Sequence, residues 1–130
     1  MKLKYINAED SERNAKATVH ASGKLGFSSD AIEYLDITEG KTIQFAQNAE
    51  DVNDLNLYAV VHGSSQEGAF RLNKAGKYYY VNTRNMFDNL NIDYKHTKII
   101  YDLVKIENDG NQIIKMIRRE IKKKPKEMPT

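Results

Sequence analysis

The chain contains no cysteine and no tryptophan, and its only two prolines, Pro125 and Pro129, fall at the very end of its 130 residues. Without thiols there is no disulfide framework, no zinc thiolate site and no cysteine nucleophile, which suits a reducing interior. Long apolar runs are missing as well. Nothing approaches the roughly 20 apolar residues of a membrane span, and the opening stretch MKLKYINAEDSERNAKATV lacks the uninterrupted apolar core of a secretory signal. The expected compartment is the cytoplasm, with no membrane partner. Catalytic signatures are equally scarce. His20, His62 and His96 show no HxH or HExxH spacing, and each reads as a solvated or turn histidine. Gly23-Lys24-Leu25-Gly26 lacks the Gly-Lys-Ser/Thr ending of a phosphate loop. No nucleophile with a base, carboxylate pair or ligand cluster stands out, so the sequence predicts no enzyme, no cofactor and no metal site.

What is present suffices for one folded body. A hydrophobic content of 40% is too high for a disordered chain, while 29% charged residues keep its surface solvated. The length matches a single core. A formal charge of +2 conceals a polarity: residues 115–130 carry seven Lys or Arg against two Glu, and residues 1–114 carry thirteen bases against sixteen acids. A mildly acidic body therefore ends in a basic tail. Glu9 to Asn14 reads as a polar lead-in, at most a frayed turn of helix.

The dominant feature is a repeat. From Gly23 the chain reads GKLGFSSDAIEYLDITEGKTIQF, and from Gly76 it reads GKYYYVNTRNMFDNLNIDYKHTKIIYDL; self-similarity at about half the chain length points to a duplicated supersecondary unit. In the first copy Lys16 to His20 reads as a short strand, and Leu25 and Phe27 alternate with Gly26 and Ser28 as a second. Ser28 with Ala31, or Ser29 with Ile32, can cap a short helix bearing Ala31, Ile32 and Leu35 on one face. Lys41 to Ala46 alternates as a strand, Asn48 to Asn56 is an Asn/Asp-rich loop, and Leu57 to Val61 is the fourth strand.

The second copy follows the same order. Ala69 to Asn73 is expected as strand, Lys74 to Lys77 as turn, Tyr78 to Val81 as strand, and Arg84 to Asn91 as helix with Met86, Phe87 and Leu90 inward. Lys98 to Glu107 and Gln112 to Arg118 then flank Asn108-Asp109-Gly110, a tight-hairpin signal. The expected layout is a lead-in over 1–15, a first repeat over 16–61, a linker over 62–68, a second repeat over 69–119 and a basic tail over 120–130. Between Gly and the closing Ile the second copy is two residues longer, which places a longer bend before its helix. Tyr78 and Tyr80 share one strand face and Tyr79 the other; because Tyr79 aligns with Gly26, Tyr79 is expected to be the exposed one. Packing within the sheet is the favoured role for these rings, with base stacking the alternative.

Gly23-Lys24, Leu25, Phe27, Ser28, Leu35-Asp36-Ile37 and Glu39-Gly40-Lys41 resemble the signature of the AbrB-type swapped-hairpin domain (the SpoVT-AbrB superfamily). Over the second copy Gly76-Lys77, Tyr78, Tyr80 and Leu90-Asn91-Ile92 are similar, and two such units in tandem resemble the MraZ-like arrangement. The resemblance implies a mainly β fold with short helices, an α+β architecture in which two β-β-α-β-β repeats form one pseudo-twofold, barrel-like domain. It also implies a DNA-binding transcriptional regulator with double-stranded DNA as partner, in which the two Gly-Lys bends bring Lys24 and Lys77 to the nucleic acid; Arg71, Lys74, Arg84 and the basic tail residues Lys122, Lys123 and Lys124 are expected to assist by their charge. The Arg that commonly follows the glycine is Lys in both copies, which keeps the charge and loses the planar fork that reads guanine. The alternative is a noncatalytic interaction or assembly module, with itself or another protein as partner, that has lost the DNA surface. A cleft enzyme or small-molecule binder ranks third.

Overall fold

A computed structural model describes residues 1–6 and 14–122. The lead-in Glu9 to Asn14, but for Asn14 itself, and the tail residues Lys123 and Lys124 lie outside the described residues. Alternating apolar residues make Lys16–Val19 (β1) and Leu25–Phe27 (β2) into a hairpin, and Ser29–Tyr34 (α1) follows. Ser28 caps this helix: its Oγ accepts from Ala31 N at 3.1 Å and Lys16 N at 3.0 Å while donating to the Asn14 carbonyl at 3.1 Å. One hydroxyl thus ties the first helical turn to the strand before it. Thr42–Ala46 (β3) and Leu57–His62 (β4) form the next hairpin.

The remainder runs Phe70–Arg71 (β5), Asn73–Ala75 (β6), Tyr78–Val81 (β7), Arg84–Asn89 (α2), Thr97–Asn108 (β8) and Asn111–Lys122 (β9). The expected strand over 69–73 is instead two short strands around Leu72. Both final strands are longer than the sequence reading, so residues expected to begin the tail belong to β9. Asn108 pairs Asn111 across Asp109 and Gly110, both at positive φ (49° and 79°), as the tight Asn-Asp-Gly turn demands.

All strand pairs are antiparallel, in the order β5-β3-β4-β9-β8-β1-β2-β7-β6. Its two ends, β5 and β6, are separated in sequence by Leu72 alone, so the sheet is a nearly closed barrel. β1 lies between β2 and β8, β2 pairs β7, β5 pairs β3, and β4 pairs β9. Each of these last contacts, and β1 with β8, joins residues before the 62–68 segment to residues after it. The interior is correspondingly shared: Leu25 faces Val81, Phe27 faces Tyr79, and Ala17 faces Tyr101, all buried. Burial of each large side chain here stabilises by roughly 1.5–3 kcal/mol.

Tyr79 is buried at 7% exposure while Tyr78 is exposed at 37%, reversing the expected orientation. The alternation was right and its phase was not. In the first hairpin five residues, 20–24, separate Val19 from its partner Leu25; in the second only Gly76 and Lys77 separate Ala75 from Tyr78. The shorter turn sets the strand one residue out of step with the glycine alignment, and a one-residue slip exchanges the faces. Tyr79, not Tyr78, therefore occupies the place of Leu25.

Both helices end in the same way. After Leu35, Asp36 takes φ 52° and Ile37 N donates to the Ile32 carbonyl at 2.9 Å; after Leu90, Asn91 takes φ 56° and Ile92 N donates to the Phe87 carbonyl at 3.1 Å. Asp36 N and Asn91 N bond to the Glu33 and Asp88 carbonyls at 3.2 and 3.1 Å. These are Schellman closures, and Asp and Asn are the non-glycine residues that best tolerate the left-handed position. Asn91→Gly is expected to raise stability by up to about 1 kcal/mol and Asn91→Val to lower it by about 1–3 kcal/mol, measured by urea denaturation.

Tyr101 stacks on Phe87 with ring centroids 6.3 Å apart, and its buried hydroxyl has no hydrogen-bond partner among the described residues. Burial pushes its pKa up to about 12. A phenol held protonated in the fold contributes stability below its ordinary value near 10 and loses it as pH rises towards 12, a span worth about 3 kcal/mol. Tyr101→Phe should therefore flatten the fall in stability between pH 10 and 12 while leaving neutral-pH stability equal or higher, as read from denaturation midpoints across pH.

Candidate nucleic-acid interface

Register places one end of the barrel. Glu120, Ile99, Val19, Leu25 and Val81 form a single row across five strands, and the residues just beyond that row include Lys98, His20 and Lys24. Lys122 lies one step further along β9, and Arg84 opens α2 two residues after Asn82, the corresponding position beyond Val81. Four cations from the first turn, α2, β8 and β9 are therefore gathered at the end that carries α2. Its acids are already engaged: Asp88 pairs with Arg84 at 3.9 Å and accepts from Tyr94 Oη at 2.6 Å, Asp93 takes His96 at 3.1 Å, and Glu120 meets Arg118. The backbone N–H of His96 holds the Asp93 carboxyl below its usual value, and the Asp88 carboxylate raises the Tyr94 phenol.

The turn bearing Lys24 is built against α2. His20 N donates to the Lys24 carbonyl and Gly23 N to the His20 carbonyl, each at 2.8 Å. Thr83 Oγ1 then donates to the Gly23 carbonyl at 2.9 Å across 60 residues of sequence. Gly23 is required twice there: its φ is +88°, and a Cβ would stand 2.7 Å from the Arg84 Cβ. The Arg84 stem thus lies on the glycine that precedes Lys24, while its guanidinium pairs with Asp88 at 3.9 Å.

Outside β2 and β7 an aromatic stack orients Lys24. Its Nζ lies 4.7 Å from the Tyr80 ring centroid, Tyr80 stacks on Tyr78 at 6.2 Å and 20°, and Tyr78 Oη lies 2.5 Å from His20 Nε2. Partial burial raises the Tyr78 phenol. The stack needs the bare Gly26 beneath it, because a Cβ at Gly26 would come within 1.6 Å of Tyr78 Oη and 2.5 Å of His20 Nε2. His20, read from sequence as a solvated turn residue, is exposed but has this tyrosine as partner.

The other expected contacts are elsewhere. Arg71 and Lys74 share a groove with Glu39, Gly40 and Thr42. Lys77 is exposed in the β6–β7 turn, next to the strand end that precedes α1, whose neighbourhood carries Asp30, Glu33, Asp36 and Glu39. The six expected residues that are described therefore do not form one surface: Lys24, Arg84 and Lys122 lie at one end, Arg71 and Lys74 form a second group beside an acid, and Lys77 stands apart. Lys98 was missed because its place in the same row as Lys24, with His20 between them, depends on the β1–β8 pairing, which no local pattern encodes. Alternation with buried Ile99 was the one available sign that it faces outward.

No protein-family model matches the chain, and no curated protein and no solved structure matches it. Among the described residues no helix is long and apolar enough to cross a membrane, and no group of three His, Asp or Glu is placed to hold a metal ion. Gly26→Ala is expected to cost about 1–2 kcal/mol through displacement of the tyrosine. In a Tyr78→Ala background that cost should largely vanish, so a double-mutant cycle on thermal or urea midpoints should show coupling above about 0.5 kcal/mol.

Proposed function

We propose that this chain is a tandem duplicate of the AbrB-type swapped hairpin and that it binds duplex DNA as a regulator through the barrel end that carries α2. The observation that carries the DNA reading is the placement of Lys24, Lys98 and Lys122 at one barrel end together with Arg84, which is itself paired with Asp88 at 3.9 Å. The duplication is supported by the order of pairing. Counting β5 and β6, which are split only around Leu72, as one first strand of the second half, the first strand of each half pairs the third of the other, the two second strands pair each other, and so do the two fourth strands. The Schellman closures at Leu35-Asp36-Ile37 and Leu90-Asn91-Ile92 repeat at the corresponding place.

In this reading Lys24 and Arg84 contact phosphate, the tail from Lys122 onward adds counterion release, and few side chains reach base edges. The two halves are unequal partners for DNA, since acids cluster around α1 and cations around α2. A noncatalytic assembly module remains the second reading, favoured by Glu39 beside Arg71 and Lys74. Fluorescence anisotropy with mixed-sequence duplex at graded salt separates them. The DNA reading expects affinity to fall steeply with salt, each of Lys24→Ala, Arg84→Ala and Lys98→Ala to lower the log–log slope by about one, and Lys77→Ala to leave it nearly unchanged. No binding at 20–50 mM salt, on the order of the most permissive conditions, would leave the assembly reading.

A further inference from the structure

The first six residues, Met1-Lys2-Leu3-Lys4-Tyr5-Ile6, alternate cationic and apolar side chains up to Tyr5, the period of a strand. They have no strand partner, and Leu3, Tyr5 and Ile6 are 65%, 85% and 87% exposed. Such a segment, free of Pro and Gly, is built to pair with an open sheet edge.

An open edge exists on the other side of the barrel. β4 and β9 pair only from Leu57↔Met116 to Ala59↔Ile114, after which Val60–His62 and 111–113 separate, leaving each with one side that no strand among the described residues pairs. Beside this opening lies a groove of about 470 Å³ between the β3–β4 hairpin and the β8–β9 tip, lined by Ala46, Glu50, Tyr58, Ile106, Asp109 and Ile113. It continues into a second depression of about 270 Å³ floored by Phe45, Val60 and Ile113. Val60 is 37% exposed there. Asp54, whose carboxyl is held below its usual value by the Tyr58 hydroxyl, stands beneath with Lys115 as its nearest counter-charge. The groove thus combines apolar contacts at Ile106, Ile113 and Val60 with the neutral polar Gln47, Asn48 and Asn108, and its two charged lining residues, Glu50 and Asp109, are both acidic.

We propose that this groove receives the Met1–Ile6 segment of a second copy of the chain, added as a strand, so that the protein forms a strand-exchanged dimer. Leu3 and Tyr5 meet the floor at Val60 and Ile113, and Lys2 and Lys4 meet Glu50 and Asp109. Main-chain bonds supply affinity and the alternating side chains supply register. The second copy is the occupant because the exposed segment is not among the residues that line the groove, carries the complementary charge, and presents in every copy a donor for every acceptor, which allows a closed reciprocal pair. The proposal does not depend on nucleic-acid binding.

Sedimentation velocity on the full chain from about 1 to 200 μM, a range that brackets ordinary homodimer affinities, tests it. The expected result is a reversible dimer that deletion of residues 1–6 abolishes with the circular dichroism of the body unchanged. Lys2→Glu with Lys4→Glu should weaken the dimer at least about tenfold, and combining them with Glu50→Lys and Asp109→Lys should restore it. A monomer at every concentration, a dimer indifferent to the deletion, or charge reversal without rescue by the swap would each overturn the proposal.

Discussion

The fold depends on strands paired across the middle of the sequence. β1 cannot be completed by its own hairpin partner β2 alone, since its other edge belongs to β8, and β2 in turn needs β7. Leu25, Phe27 and Val19 are buried only because Val81, Tyr79 and Ile99 stand opposite. Neither half has an interior by itself. The closure entropy for these long-range pairs is met only when both halves are in place, which makes a single cooperative unit of 16–122 and predicts slow folding relative to local hairpins.

The same pairing makes the functional surface. Lys24, Arg84, Lys98 and Lys122 come from four separate elements, and Thr83 holding the Gly23 carbonyl fixes the first of these turns onto the second helix. The close approach at Gly23 and the bare face of Gly26 are consequences of this docking rather than of turn formation alone. A side chain at either would separate the cation-bearing turn from α2 or from its aromatic support. Position, not local composition, is what distinguishes the α2 end from the α1 end.

That distinction explains what could be read in advance. The Asn108-Asp109-Gly110 turn, a serine cap left open between Ser28 with Ala31 and Ser29 with Ile32, and the inward Phe87 were legible because each is decided within a few residues; the structure selects Ser28. The mainly β character with two short helices followed from the alternation of Leu25 with Phe27 and Ile43 with Phe45. Tyr79 was misplaced because aligning the two glycines presumes equal turns, whereas one hairpin closes over five residues and the other over two. The split around Leu72 and the grouping of Lys98 with Lys24 required knowledge of distant partners. Sequence periodicity fixes which residues share a strand face; it leaves open which strand lies alongside.

Native-state hydrogen exchange tests the cross-half pairing most directly. If β1, β2, β7 and β8 form one clasped interior, the slow amides of Ala17, Leu25, Val81 and Ile99 should open with a common free energy equal to that of global unfolding and respond equally to denaturant. Two separate opening energies, one for residues 16–62 and another for 70–122, would contradict the account.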